Sequence, residues 1–241
     1  MEKTTKKQIP LDFPYKPYMG IDDFITSPAN TEAFNTVESW PEWSFFAVNL
    51  YGPQRSGKTH LTHIFSDKVC NLIKSPYPIP RIEASMVDIK IPPLLFEKNK
   101  QLIVENLNEE IDQEAMFHLY NLYRNEGGNI LFTSIVPPAR MKFSLPDLQS
   151  RLNIVPSYEI KEPDDELLSA LIIKLFMDRQ ITIPLEVINY ILANMERSFA
   201  YTHKLVAEID NISLTYKRAV TIPIVKEAIL FLNTNNQTEL F

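Results

Sequence analysis

The chain has 241 residues, 45% of them hydrophobic and 22% charged, which supplies one large core or two smaller ones and excludes a disordered chain or a disulfide-stapled miniprotein. Its 24 Lys and Arg against 30 Asp and Glu leave a formal charge of −6, so no global positive field gathers nucleic acid and any DNA contact needs a local patch. Glycine is scarce: average usage would give about 17 in this length, whereas the sequence has five, Gly20, Gly52, Gly57, Gly127 and Gly128.

Cys70 has no second cysteine to pair with, and His60 and His63, three apart, have no third ligand nearby. Both point to a reducing compartment and no structural metal. The polar, basic start MEKTTKK is not followed by a signal-peptide core, and no run approaches the ~20 apolar residues that span a bilayer. A cytoplasmic protein without a membrane partner is expected.

Residues 1–17 carry two of their prolines in IPLDFP and show no period, so they read as an extended arm. From 18 to 156 apolar strand-like runs, SFFAVNLYG, PRIEA, QLIVENL and GNILFTSIVPP, alternate with amphipathic segments, the pattern of a parallel α/β sheet flanked by helices. KTHLTHIFSDKVCNLIK sets Leu61, Ile64, Phe65, Val69 and Leu72 on one helical face, and Glu109–Arg124 reads as a helix stopped at Gly127-Gly128. Residues 157–232 become nearly all helical: DDELLSALIIKLFMDR, PLEVINYILANME, SFAYTHKLVAEIDNISLTYKR and PIVKEAILFLN, each led by a proline or a serine cap, predict a small domain of four helices. A polar tail, 233–241, follows.

The strongest chemical signal is GPQRSGKT, comprising Gly52, Pro53, Gln54, Arg55, Ser56, Gly57, Lys58 and Thr59. It fits G-x-x-x-x-G-K-[ST] between an apolar strand and an amphipathic helix, the context a phosphate-binding loop requires. Glycines let backbone amides curl toward the β-phosphate, Lys58 neutralises β/γ oxygens, and the Thr59 hydroxyl can ligate Mg²⁺. Hydrolysis also needs an acidic strand end. QLIVENLN offers Glu105 for the metal, one methylene longer than the usual aspartate, but Asn106 cannot act as a base near neutral pH. Weak intrinsic hydrolysis and tight retention of ADP or ATP with Mg²⁺ are expected.

YGPQRSGKTHL, IVENL, FHLYN, ILFTSIVPP, LPDLQSRL, MERSF and TIPIVKEAIL together resemble the Hda branch of the DnaA family of AAA+ proteins, over about residues 18–232. The resemblance implies an AAA+ sheet domain with a helical lid and a regulator that inactivates the replication initiator DnaA. It assigns Arg151 of SRL as an arginine finger reaching a neighbouring subunit's nucleotide, a role that raises hydrolysis by roughly 10³–10⁵. It matches Thr133, or Ser134, to the position that senses the γ-phosphate, and Arg197 of MERSF to the lid's sensor arginine, although Ser198 stands where an acid is usual. Asp23, Phe24, Ile25 and Asn30, with His60 after the loop, resemble the nucleotide-flanking segments.

Two departures favour a regulator over an initiator: Glu105-Asn106 replaces paired acids, and no helix-turn-helix reader is seen after the lid, so no sequence-specific DNA binding is expected. QIPLDF, with Gln8, Leu11 and Phe13, resembles the Q-x-x-L-x-F peptide that docks on the sliding clamp, and QTELF, with Gln237, Leu240 and Phe241, resembles its shorter form. The expected partners are therefore the clamp and DnaA. A homodimer or higher oligomer stays open. So do two rival functions, a self-sufficient ATPase such as a clamp-loader or helicase-loader subunit, and an assembly factor that binds DnaA without a catalytic arginine.

Overall fold

A computed structural model describes residues 19–238 of the chain, which divide into two compact units, 19–162 and 163 onward. The first is built on a five-stranded parallel sheet: β1 (Ala47–Tyr51), β2 (Arg81–Glu83), β3 (Gln101–Leu107), β4 (Asn129–Ser134) and β5 (Ser157–Glu159), in the spatial order β2-β3-β4-β1-β5. The inner strands are buried almost throughout, as strands covered by helices on both faces must be. Around them run α1 (Thr31–Glu38), α2 (Lys58–Ile73), α3 (Ile91–Lys98), α4 (Gln113–Asn125) and α5 (Pro146–Asn153). The core joins Leu102, Val104, Ile130 and Phe132 of the sheet to Met116, Leu119, Tyr120 and Tyr123 of α4 and to Leu148 and Leu152 of α5.

From β1 the chain crosses β4 and β3 to reach the far edge at β2, while β5 lies on the other side of β1. That reversal makes the carboxyl end of β1 a topological switch point, where open parallel sheets form their ligand crevice. The phosphate-binding loop leaves β1 there.

The sheet corrects the expected boundary at 156. Ser157–Glu159 pairs in parallel with Asn49–Tyr51, so these residues belong to the nucleotide-type unit and the helical unit starts at Pro163. Three residues with no apolar run carry too little pattern to read as a strand; their backbone, not their side chains, puts them in the ladder. Leu72 also departs from expectation: at the last turn of α2 it is exposed. The helix expected from Glu109 starts only at Gln113, because the Asp112 carboxylate caps it by accepting from the Ala115 N–H at 2.9 Å, and Glu109 and Glu110 stay in the preceding loop.

The second unit contains α6 (Asp165–Met177), α7 (Leu185–Asn194), α8 (Phe199–Tyr216) and α9 (Ile222–Thr238). Asp164 caps α6 through the Leu167 N–H at 2.7 Å, and Ser198 caps α8 through the Tyr201 N–H at 3.1 Å. Leu168, Ile172, Phe176, Ile191, Leu205, Ile209 and Val225 form its separate core. The tail expected from 233 is shorter, since α9 continues to Thr238 and takes in the backbone of Gln237. Gln8, Leu11, Phe13, Leu240 and Phe241 lie outside the described residues. No helix among the described residues is long and apolar enough to cross a membrane.

Candidate functional site

The loop from Gly52 to Thr59 takes its shape from backbone constraints. A Cβ on Gly52 would stand 2.3 Å from the Ile160 carbonyl oxygen, and Gly57, with φ +97°, starts α2 in the left-handed region and brings the backbone against the Phe24 ring. Gly57 has no side chain to cap the helix, so the first N–H groups of a 16-residue helix face the loop, an arrangement suited to an anion. Lys58 is buried, and its Nζ donates to the Gly52 and Pro53 carbonyls at 2.7 Å each. Burial pushes its ammonium down to about 8. Ser56 Oγ is buried without a hydrogen-bond partner, an orphan that polar groups in a folded core rarely tolerate without a ligand or water. Glycine cradle, orphan hydroxyl and buried ammonium together fit a chain of phosphates.

Beside the loop lies a cavity of about 750 Å³ lined by Gln54, Arg55, Lys58, Thr59, Asn106, Glu109, Glu110 and the apolar Ile135, Val136 and Met141, among others. Sequence reasoning missed Glu109 and Glu110 at this wall, having placed them in a helix. The Glu109 carboxylate accepts from the Lys142 N–H at 2.5 Å.

The residues before α1 flank the other side of the loop. Phe24 stacks on Phe34 with centroids 5.6 Å apart and meets His60 edge-on at 5.2 Å. His60 Nε2 lies 2.8 Å from the Gly20 carbonyl oxygen, and the Asp23 N–H closes a tight turn on the same carbonyl at 3.2 Å. Asn30 is committed to its own segment: its Oδ1 accepts from the Ser27 N–H and its Nδ2 donates to the Ile25 carbonyl, both at 2.9 Å. Its role is to hold the loop that presents Phe24 and Ile25.

At the end of β3 the arrangement differs from expectation. Asn106 lies at φ +58°, within the register shift of the β3–β4 ladder between Val104 and Leu107. Its N–H donates to Thr133 Oγ1 at 3.1 Å, and its Nδ2 to Glu83 Oε2 at 2.8 Å. Thr133 is thereby fixed between the ends of β1 and β3, while Ser134 Oγ donates to the Val136 carbonyl and accepts from Asn49 Nδ2 at 3.0 Å. Glu105 is nearly buried; its Oε1 accepts from Thr62 Oγ1 at 3.1 Å and pairs with Arg81 Nη1 at 3.7 Å. Arg81 in turn lies 3.0 Å from His63 Nε2. Of the two residues expected to hold Mg²⁺, Thr59 lines the cavity, while Glu105 has one carboxylate oxygen, Oε1, engaged by Thr62 and Arg81. No cluster of His, Cys, Asp and Glu suited to a metal occurs among the described residues.

Arg151 lies in the last turn of α5 and makes no hydrogen bond or ion pair among the described residues. Its charge is felt at Tyr120, whose ring packs 4.8 Å from that of Phe46 just ahead of β1. α5 leads into the amino end of β5, which runs parallel to β1, so Arg151 stands toward the amino ends of the strands, whereas the phosphate loop leaves the carboxyl end of β1. Arg197 in the second unit makes a bidentate pair with Asp165, Nε to Oδ1 at 2.7 Å and Nη2 to Oδ2 at 3.0 Å, which holds the Asp165 carboxyl below its usual range. Asp165, at the start of α6, is thus the acid that Arg197 meets, and Ser198 caps α8.

Residues 164–229 match the family model described as Hda, lid domain. The fold is similar to that of domain III of the Thermotoga maritima replication initiation protein DnaA, at 19% identity with a TM-score of 0.73 over 92% of this chain and 98% of that one. AMPPCP-bound DnaA from Aquifex aeolicus matches at 18% identity and TM-score 0.63, over 82% of this chain and 67% of that one. The Thermotoga maritima RuvB branch migration motor matches at 14% and 0.68, over 90% and 72%. The first unit is thus a parallel sheet carrying a phosphate loop, the chain has a fold similar to those of DnaA and RuvB, and its residues 164–229 match the Hda lid.

Proposed function

We propose that this chain is a nucleotide-bound regulator that docks on the DNA polymerase sliding clamp and stimulates hydrolysis of ATP held by DnaA, switching the initiator off. The observation that carries the reading is Arg151: an arginine with no hydrogen-bond or ion-pair partner among the described residues, toward the amino ends of the strands, suits action on a neighbour's nucleotide. The Hda lid match supports DnaA as that neighbour. Nucleotide binding is supported by the loop geometry and by the AMPPCP held by the Aquifex DnaA; the working nucleotide in this reading is ADP, which Asn106, unable to take a proton from water, would do little to produce in this chain's own site. Gln8, Leu11 and Phe13 supply the clamp peptide, with Gln237, Leu240 and Phe241 as a second one that would raise avidity on one ring.

The test is turnover of DnaA-bound ATP in the presence of clamp-loaded DNA. Wild type stimulates it, Arg151→Ala does not, and Leu11→Ala with Phe13→Ala loses stimulation together with clamp binding. Equal stimulation by Arg151→Ala overturns the mechanism. One observation favours a self-sufficient ATPase instead: Glu109 and Glu110 line the cavity beside Lys58. Sustained turnover by the isolated chain, lost in Glu110→Gln, would carry that second reading.

A further inference from the structure

The edge strand β2 engages both side chains at the end of β3. In the parallel register Glu83 lies opposite Glu105, and Arg81, two residues earlier, shares its face of the strand. Arg81 pairs with Glu105 at 3.7 Å, and Glu83 accepts from Asn106 at 2.8 Å. Arg81 is itself oriented, because His63 Nε2, 3.0 Å from Nη1, serves as a neutral acceptor beneath it; burial and the Arg81 charge both hold that imidazole below its usual pKa. The Glu105 carboxylate, with about a tenth of its side chain exposed and a hydroxyl on the same oxygen, has its charge met inside the protein.

A divalent cation at a phosphate loop competes for that carboxylate, since oxygen ligands of one ion must carry enough negative charge to replace its hydration. Releasing Glu105 to the metal would leave Arg81, with 26% of its side chain exposed, beside a neutral imidazole and without its carboxylate, an unfavourable exchange for a half-buried charge. We propose that Arg81 is the resident cation of this nucleotide site: it holds Glu105 so that the chain binds a nucleoside diphosphate equally well with and without Mg²⁺. This rests on the nucleotide-binding reading above and adds to it the reason for metal independence. Arg81 is a positioning residue, acting through Glu105 and touching no phosphate. Lys58 and the α2 amides, neither of which needs a metal, carry the diphosphate charge.

The experiment is a titration of the full chain with a fluorescent ADP analogue, in millimolar Mg²⁺ and in EDTA. The wild-type dissociation constants agree within about twofold, whereas Arg81→Gln, which frees Glu105, binds about tenfold more tightly in Mg²⁺ than in EDTA, the scale on which groups behind a metal ligand act. Arg81→Gln with Glu105→Gln removes the freed carboxylate and returns to metal independence. A merely structural role for Arg81 moves both conditions together and overturns the proposal. So does a wild type whose affinity falls tenfold in EDTA, a result obtained without any variant. Absence of binding in both conditions overturns the nucleotide reading and this inference with it, which separates the two failures.

Discussion

The loop after β1 and the end of β3 border one cavity, yet their groups are held in opposite ways. At β1 the backbone does the positioning: Gly52 is pressed against the Ile160 carbonyl, Gly57 opens α2, and Ser56 and Lys58 turn polar atoms inward with few or only carbonyl partners. At β3 the side chains are tied to the protein itself, Glu105 to Thr62 and Arg81, Asn106 to Glu83. One end keeps hydrogen-bonding capacity in reserve for a ligand, and the other has consumed it. The groups that would grip phosphates and the acid expected to act on them are therefore positioned by different strands of this sheet, one by backbone geometry and the other by side-chain contacts.

The largest effect that could break this contrast is Gly52→Ala. The added methyl meets a backbone oxygen at 2.3 Å, and overpacking of this kind costs about 3 kcal/mol, read as a lowered denaturant midpoint. An unchanged midpoint would show that β5 does not constrain the loop. Lys58→Gln comes next: loss of a charged donor weakens ADP by about 10- to 100-fold while leaving the fold intact, because a buried ammonium is removed. The wild-type protein shows a related effect with pH. Phosphate favours protonated Lys58, whose free-state value is about 8, so affinity is steady below that value and falls above it by up to about tenfold per pH unit. A profile flat to pH 9 would remove Lys58 from phosphate binding.

Asn106→Glu sharpens the other end. The position has φ +58° and lies against Glu83, so left-handed strain and like-charge repulsion together cost about 2 kcal/mol and turnover does not rise. A gain in turnover without loss of stability would mean that the β3 end is an ordinary hydrolytic site lacking one acid. The smallest effect is expected in the second unit: Arg197→Ala leaves the thermal midpoint unchanged, because its pair with Asp165 is fully exposed to solvent.

The sequence was most legible where pattern and geometry coincide. β3 is QLIVENL, residue for residue, because a strand buried on both faces needs an unbroken apolar run, and the phosphate loop could be placed by its two glycines and lysine. The four lid helices were readable from their prolines, caps and spacing. Apart from β2, which lies in the expected run PRIEA, short elements were not. β5 has three residues, and α1, α3 and α5 have eight each, too few turns for a period to emerge. The commitment of Glu105 was also hidden, since its partner Arg81 is 24 positions away and meets it only through the β2–β3 register. The left-handed backbone at Asn106 has a local signal, as asparagine tolerates that region better than most residues, but nothing in LIVENLN distinguishes a strand's end from its middle.

The obstacle that enforces Gly52 has a consequence for what could compensate a change there. It is the carbonyl oxygen of Ile160, not that residue's side chain, that stands 2.3 Å from the missing methyl. Exchanging Ile160 for a smaller residue therefore makes no room, and no compensating substitution at that contact exists. Position 52 is tied to the path of the main chain as it leaves β5, so any side chain there requires that strand's end to move.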